Sequence, residues 1–167
     1  MRNTKALLLL LPGFIILLLS QVIACGESHS TTYTNENWGY AITYPNEWRV
    51  EVANGEKTFL VSAPYDSGSL RIDVIEAYPA ETAAENWLML IGTTYGSVTL
   101  LDGRVMQGMW DYYLCYEYMT DYNEFHGEAF FKQTETHLYK LDTVGEKSKY
   151  DTYAFDSIIS TFKLLPE

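Results

Sequence analysis

Glu124, His126 and Glu128 alternate along one stretch of the chain, and on a strand that spacing puts all three side chains on one face. Two carboxylates and an imidazole so placed could hold a divalent cation. A solvated sheet face has the same alternation, however, and no second ligand cluster accompanies these residues, so the solvated face is the favoured reading. His137 is the other candidate base. Asp142 and Ser157 follow it, but nothing in their spacing brings the three together. Cys115 sits in an apolar run with Asp111, Tyr113 and Glu117 as same-face neighbours. Carboxylates there would raise its pKa rather than activate it, which suits a small buried hydrophobe better than a nucleophile. The chain has no Gly-x-Ser-x-Gly elbow, His-Glu-x-x-His helix, phosphate loop or dinucleotide fingerprint. The expectation is therefore no catalytic, cofactor-binding or metal-binding residues and no cofactor. A metal-dependent or hydrolytic extracytoplasmic enzyme using His126 or His137 is the alternative.

Cys25 is the residue with the clearest chemical role. Arg2 and Lys5 form a short basic region, and Ala6 to Leu19 are apolar except around Pro12 and Gly13, the layout of an export signal. A membrane-spanning helix fits less well. Pro12 would cost ~3 kcal/mol inside it, and the following Gly26-Glu27-Ser28-His29 carries no basic cluster. Val22-Ile23-Ala24-Cys25 resembles a bacterial lipoprotein signal. That resemblance implies diacylglycerol on the Cys25 sulfur and cleavage after Ala24. Two or more acyl chains give lasting attachment, since each buried methylene contributes ~0.8 kcal/mol. The expected location is the extracytoplasmic face of the cell membrane.

Removing 24 of the 167 residues leaves 143, enough for one domain with its own core. Arg2 and Lys5 leave with them, so 9 basic residues face 22 acidic ones, a net charge of −13. Such a surface repels phosphate backbones and argues against nucleic-acid binding. With Cys25 acylated, Cys115 has no intramolecular disulfide partner. Residues 25–37 are rich in Ser, Thr and Asn and read as a polar tether.

The folded domain is expected over residues 38–165. Tyr40, Ile42 and Tyr44 alternate in a first strand, and Trp48, Val50 and Val52 in a second. Asn54-Gly55 predicts a tight hairpin into Thr58 to Ser62. Leu70, Ile72 and Val74 face opposite to Arg71 and Asp73. Thr82-Ala83-Ala84-Glu85 fits a capping box, with Ala84, Trp87, Leu88 and Ile91 as the apolar stripe of a helix ending at Gly92. Strands resume at Val98 and Leu100, with Asp102-Gly103 read as a second tight turn. A long strand then carries Trp110, Tyr112, Leu114, Tyr116 and Tyr118 on one face. Phe125 to Gln133 and Thr136 to Thr143 form a further pair, and Phe155, Ile158, Ile159 and Phe162 repeat the helical spacing. Short turns between successive strands favour antiparallel pairing. The fold class is α+β, a mostly antiparallel β-sheet flanked by two amphipathic helices. The 14 tyrosines and 4 tryptophans suit either a core or a binding surface. Trp87, Trp110, Tyr112, Tyr116 and Phe155 are assigned to the core, Tyr113 and Tyr118 to the surface.

The run Gly39-Tyr40-Ala41-Ile42-Thr43-Tyr44-Pro45-Asn46-Glu47-Trp48 resembles the F/Y-x-I-x-Y-P-x-x-W opening of the PsbP-like (Mog1/PsbP) family. Phe130-Phe131, Tyr139-Lys140-Leu141 and Ile158-Ile159-Ser160-Thr161-Phe162 are similar to its later segments. The resemblance implies a layered antiparallel sheet with flanking helices and a class of mainly binding or assembly subunits. It includes photosystem subunits, a binder of a small GTPase and many bacterial lipoproteins. The expected function is a lipid-anchored, non-catalytic binding or assembly role toward a partner protein or a small ligand.

Overall fold

The computed structural model describes residues 29–66 and 68–166. The signal segment and Cys25 lie outside the described residues. Among those described, no helix is long and apolar enough to cross a membrane.

Among the described residues, ten strands form two antiparallel sheets. The smaller joins β1 (Ser30–Asn35), β2 (Tyr40–Pro45) and β10 (Lys163–Leu164) in the order β1-β2-β10. The larger contains β3 (Arg49–Ala53), β4 (Thr58–Ser62), β5 (Gly68–Glu76), β6 (Val98–Val105), β7 (Tyr112–Met119), β8 (Glu124–Gln133) and β9 (His137–Glu146), ordered β3-β4-β5-β9-β8-β7-β6. Helix α1 (Ala80–Tyr95) lies between β5 and β6 in the chain, and the short α2 (Phe155–Ile159) follows a 3-10 segment, Lys147–Tyr153.

Alternation along the central strands divides the core in two. Phe59, Val61, Leu70, Ile72, Tyr139 and Leu141 pack under the small sheet and α2, against Tyr40, Ile42, Phe155, Ile158 and Phe162. Leu114, Tyr116, Tyr118, Ala129, Phe131 and Leu138 pack under α1, against Ala80, Ala83, Ala84 and Ile91. The α+β class and antiparallel pairing are as expected. The two helices differ in kind, though: α1 covers one face alone, whereas the other is covered mainly by a second sheet.

Several local expectations are corrected. The tether assigned to residues 25–37 is too long, because Ser30–Asn35 is strand β1, in register with Pro45 back to Tyr40. Thr31, Thr32 and Thr34 are β-branched and fit a pleated edge; their polarity disguised them as linker. The Thr82 capping box does not form. Helix α1 begins three residues earlier, with Pro79 rather than Thr82 at its N-cap and no side-chain cap, and it runs past Gly92 to Tyr95. Gly96 (φ 85°) closes it by donating its N–H to the Gly92 carbonyl. Asp102-Gly103 is no turn. Residues 98–105 form one strand, and the register shift between Leu100 and Asp102 marks a bulge that leaves Leu101 out of the pairing. The terminal helix stops at Ile159, and Tyr118 is buried rather than exposed. Of the five aromatics assigned to the core, Trp110, Tyr116 and Phe155 are buried and Trp87 and Tyr112 half-buried.

The hairpin at Asn54-Gly55 forms with a four-residue loop, Ala53 opposite Thr58. Asn54, Gly55 and Glu56 all have positive φ. The β1–β2 turn clamps this loop. Asn35, 2% exposed, donates to the Glu56 carbonyl (2.9 Å) and accepts from the Trp38 N–H (3.1 Å), while the Trp38 indole donates to the Gly55 carbonyl (3.0 Å). Asn35→Ala is expected to lower stability by about 1–2 kcal/mol, because it strands a carbonyl as well as losing a bond. Urea unfolding measures it.

Candidate functional site

The face of the large sheet beneath α1 is not uniformly apolar. Arg71 and Asp73 on β5, and Lys140 and Asp142 on the adjacent β9, point to it, paired Arg71 with Asp142 and Asp73 with Lys140. Lys140 and Asp142 are 7% and 5% exposed. The Lys140 ammonium meets the Asp73 carboxylate at 3.0 Å and lies 3.1 Å from the centroid of the Trp87 ring on α1. Arg71 holds the same carboxylate through its Nε at 2.8 Å, and Thr58 donates to it at 3.0 Å. Asp142 accepts from the buried Tyr116 hydroxyl at 2.7 Å. Gly127 makes room for that phenol, since a Cβ there would stand 2.5 Å from the Tyr116 ring.

These charges shift one another. Burial pushes Asp73 up, but the Lys140 and Arg71 cations outweigh it, and its pKa lies below the usual carboxylate value. Burial pulls Lys140 down, against the pull of Asp142 and Asp73. Asp142 is pushed up to about 6 by burial, with Lys140 and the Tyr116 bond opposing.

Over this network lies a cavity of about 510 Å³. Phe131, Leu138 and Lys140 contribute its floor, Ala83, Trp87 and Leu90 its α1 wall, and the β3–β4 hairpin its rim through Asn54 and Lys57. It combines an apolar body with one partly neutralised cation at the base, the usual make-up of a small-molecule site. The sequence reading missed Lys140, Asp73 and Asp142 as a group. The available signal was charged residues at alternate positions in two strands that are otherwise strongly apolar.

The residues singled out from sequence sit elsewhere. Glu124, on β8, is drawn to Lys147 (3.1 Å). His126 and Glu128 lie on the face opposite α1. The His126 Nε2 is 3.5 Å from the Cys115 sulfur, its Nδ1 is 3.4 Å from Glu117, and Glu128 accepts from the Tyr113 hydroxyl at 2.8 Å. Cys115 is buried, and burial first, then the neighbouring carboxylates, raises its pKa. His137 bonds Thr136 (2.8 Å) and meets the Trp38 ring. His137 and Asp142 project from opposite faces of β9, and Asp142 is committed to Tyr116, so they do not assemble with Ser157 into a triad.

The sequence matches no family profile and no curated protein. Solved structures do match. Cyanobacterial PsbP (CyanoP) from Synechocystis sp. superposes with a TM-score of 0.66 at 18% identity, over 88% of this chain and 99% of that one. The Saccharomyces cerevisiae Ran-binding protein Mog1p gives 0.55 at 6% identity, over 83% and 96%. LpqN of Mycobacterium tuberculosis, described as involved in cell envelope biogenesis, gives 0.50 at 11%, over 83% and 91%. With likeness of this extent to all three, the chain has the Mog1/PsbP fold.

Proposed function

We propose that this protein is a non-catalytic binding protein, anchored by lipid on Cys25 to the extracytoplasmic face of the cell membrane. The cavity beneath α1 is its ligand site. The observation that carries this reading is the 510 Å³ apolar cavity with Lys140 at its base and Arg71 at its edge. An amphipathic small ligand fits that chemistry, with an aliphatic or aromatic body along Trp87, Leu90 and Phe131 and an anionic or hydrogen-bond-accepting head toward Lys140 and Arg71. The net negative charge of the chain argues against nucleic acid as the partner.

A protein partner is the second reading. It draws on the description of Mog1p, a fold neighbour, as a Ran-binding protein. Exposed Leu100, Leu101 and Val105 on β6, an edge strand of the large sheet, would favour it.

A medium-chain fatty acid and the matching alkylamine serve as probes in a titration followed by tryptophan fluorescence. The carboxylate is expected to bind more tightly than the amine. Leu90→Trp, at the half-open wall, should weaken it about tenfold or more without lowering the melting temperature. Equal binding of both probes, or indifference to Leu90→Trp, would place the ligand elsewhere. The anchor is tested separately. Cys25→Ala should move the protein from the membrane to the soluble fraction and remove the lipid mass, and retention in the membrane would sink that half of the proposal.

A further inference from the structure

On the face of the sheet away from the Lys140 cavity, β7 and β8 bring together three side chains of different chemistry. Cys115 is directly opposite Glu128 in the strand register, and Glu117 is directly opposite His126. The Cys115 sulfur, a ring nitrogen of His126 and a carboxylate oxygen of Glu128 all lie within 4.8 Å of one another. We propose that Cys115, His126 and Glu128 form a zinc site with three protein ligands and one open position.

Four features support it. First, the donor set is one thiolate, one imidazole and one carboxylate, a combination that suits borderline-soft Zn²⁺ and not the all-oxygen shells of Mg²⁺ or Ca²⁺. Bonds of 2.0–2.3 Å in a tetrahedron put ligand atoms ~3.5 Å apart, and the sulfur and the His126 Nε2 already stand 3.5 Å apart. Glu128, whose carboxylate oxygen lies within 4.8 Å of both, need draw in by no more than ~1.3 Å on the same bond lengths.

Second, the surroundings supply orientation. The His126 Nδ1 faces Glu117 at 3.4 Å, so that a carboxylate can fix the tautomer that turns Nε2 toward the ion. Glu117 is itself held by Lys147 at 2.8 Å. Tyr113 engages one oxygen of Glu128 and leaves the other for the metal. Tyr150 packs edge-on against the imidazole at 4.4 Å. Third, the charges balance. Ionised Cys115 and Glu128 neutralise the dication, and the thiol proton passes to solvent as the sulfur binds. Fourth, there is access. A cavity of about 250 Å³, lined by His126, Glu128, Tyr150, Asp151 and Asp156, opens onto the site. The exposed Asp151 and Asp156 would draw cations toward it, and the fourth coordination position would face this opening.

The full-length chain, stripped with a chelator, is titrated with Zn²⁺ and, as a spectroscopic stand-in, Co²⁺. One equivalent of each should bind, and Co²⁺ should show a thiolate charge-transfer band with the visible intensity of a tetrahedral site. Cys115→Ser should abolish that band, and Cys115→Ser and His126→Gln should each weaken Zn²⁺ by about 100-fold or more. Glu117→Gln, which keeps all three ligands, should weaken it by ~10–100-fold. The proposal is overturned if no equivalent binds, or if stoichiometry and spectrum survive both ligand substitutions. Should Cys115→Ser fail to fold, His126→Gln decides alone, because glutamine keeps a polar side chain of similar bulk where the imidazole, 18% exposed, packs against Tyr150. The fatty-acid titration reads the other face of the sheet, so either result stands without the other.

Discussion

Lys140→Met is expected to destabilise the protein by about 3–5 kcal/mol, the cost of breaking a buried ion pair from one side. Methionine replaces most of the aliphatic stem, so packing against Trp87 and Phe131 changes little. Electrostatics is what changes. Asp73 keeps Arg71 as a partner, but Arg71 is half in solvent and is worth less than a buried cation. Asp142 loses the buried Lys140 cation and keeps the Tyr116 bond, which does not replace a charge. Denaturant unfolding at neutral pH measures the loss. The origin is then checked by adding Asp142→Asn to Lys140→Met, which should return a large part of it, because the carboxylate left without a cation is then gone. A loss below ~1 kcal/mol for the single variant, or no recovery in the double, would show that water already screens this network.

The second expectation concerns pH. Asp142 has its pKa raised to about 6 in the folded protein, against about 3.9 in an unfolded chain. The folded state thus holds this proton more tightly. The contribution is fully present below about pH 4 and is lost as pH rises through 6. At 1.36 kcal/mol per unit, the loss approaches ~3 kcal/mol by pH 7. The difference in unfolding free energy between Asp142→Asn and the wild type should therefore grow in the variant's favour across pH 4–7. Asp73, whose pKa is lowered, acts in the opposite sense, with stability lost as pH falls through its folded value. Its window lies below that of Asp142, so the two separate in a pH series. A flat difference curve would mean that Asp142 ionises as freely in the fold as out of it.

Period and punctuation revealed most of the fold. The alternation of Leu70, Ile72 and Val74, the i, i+3, i+4 stripe of α1 and the long aromatic strand all reappear as elements, except that Trp110 precedes β7 and packs in the core on the other side of the sheet from Leu114 and Tyr116. Failures cluster where local signals and long-range pairing disagree. Asp102-Gly103 has the composition of a turn, but β7 offers a full-length partner and the ladder absorbs the glycine into β6. The threonines of β1 resemble a linker until β2 pairs with them. The two sites were less legible. His126 and Glu128 were visible as alternating polar residues, but Cys115 joins them only through the β7–β8 register, which neither strand encodes alone. Likewise Arg71 and Asp73 look like a solvated face until α1, which begins only at Ala80, folds back over it.

The early start of β1 also sets a leash length. Ser30 already stands in the sheet register opposite Pro45, and the His29 carbonyl accepts from the Asn46 N–H at 3.0 Å. Three residues, Gly26, Glu27 and Ser28, lie between Cys25 and His29, and the four steps at ~3.3–3.6 Å each can span no more than about 14 Å. With an acyl group on Cys25, as proposed, the domain would not swing free above the bilayer. It would ride within about 14 Å of it, roughly two headgroup layers, with the Ser30, Pro45 and Asn46 end turned toward the lipid.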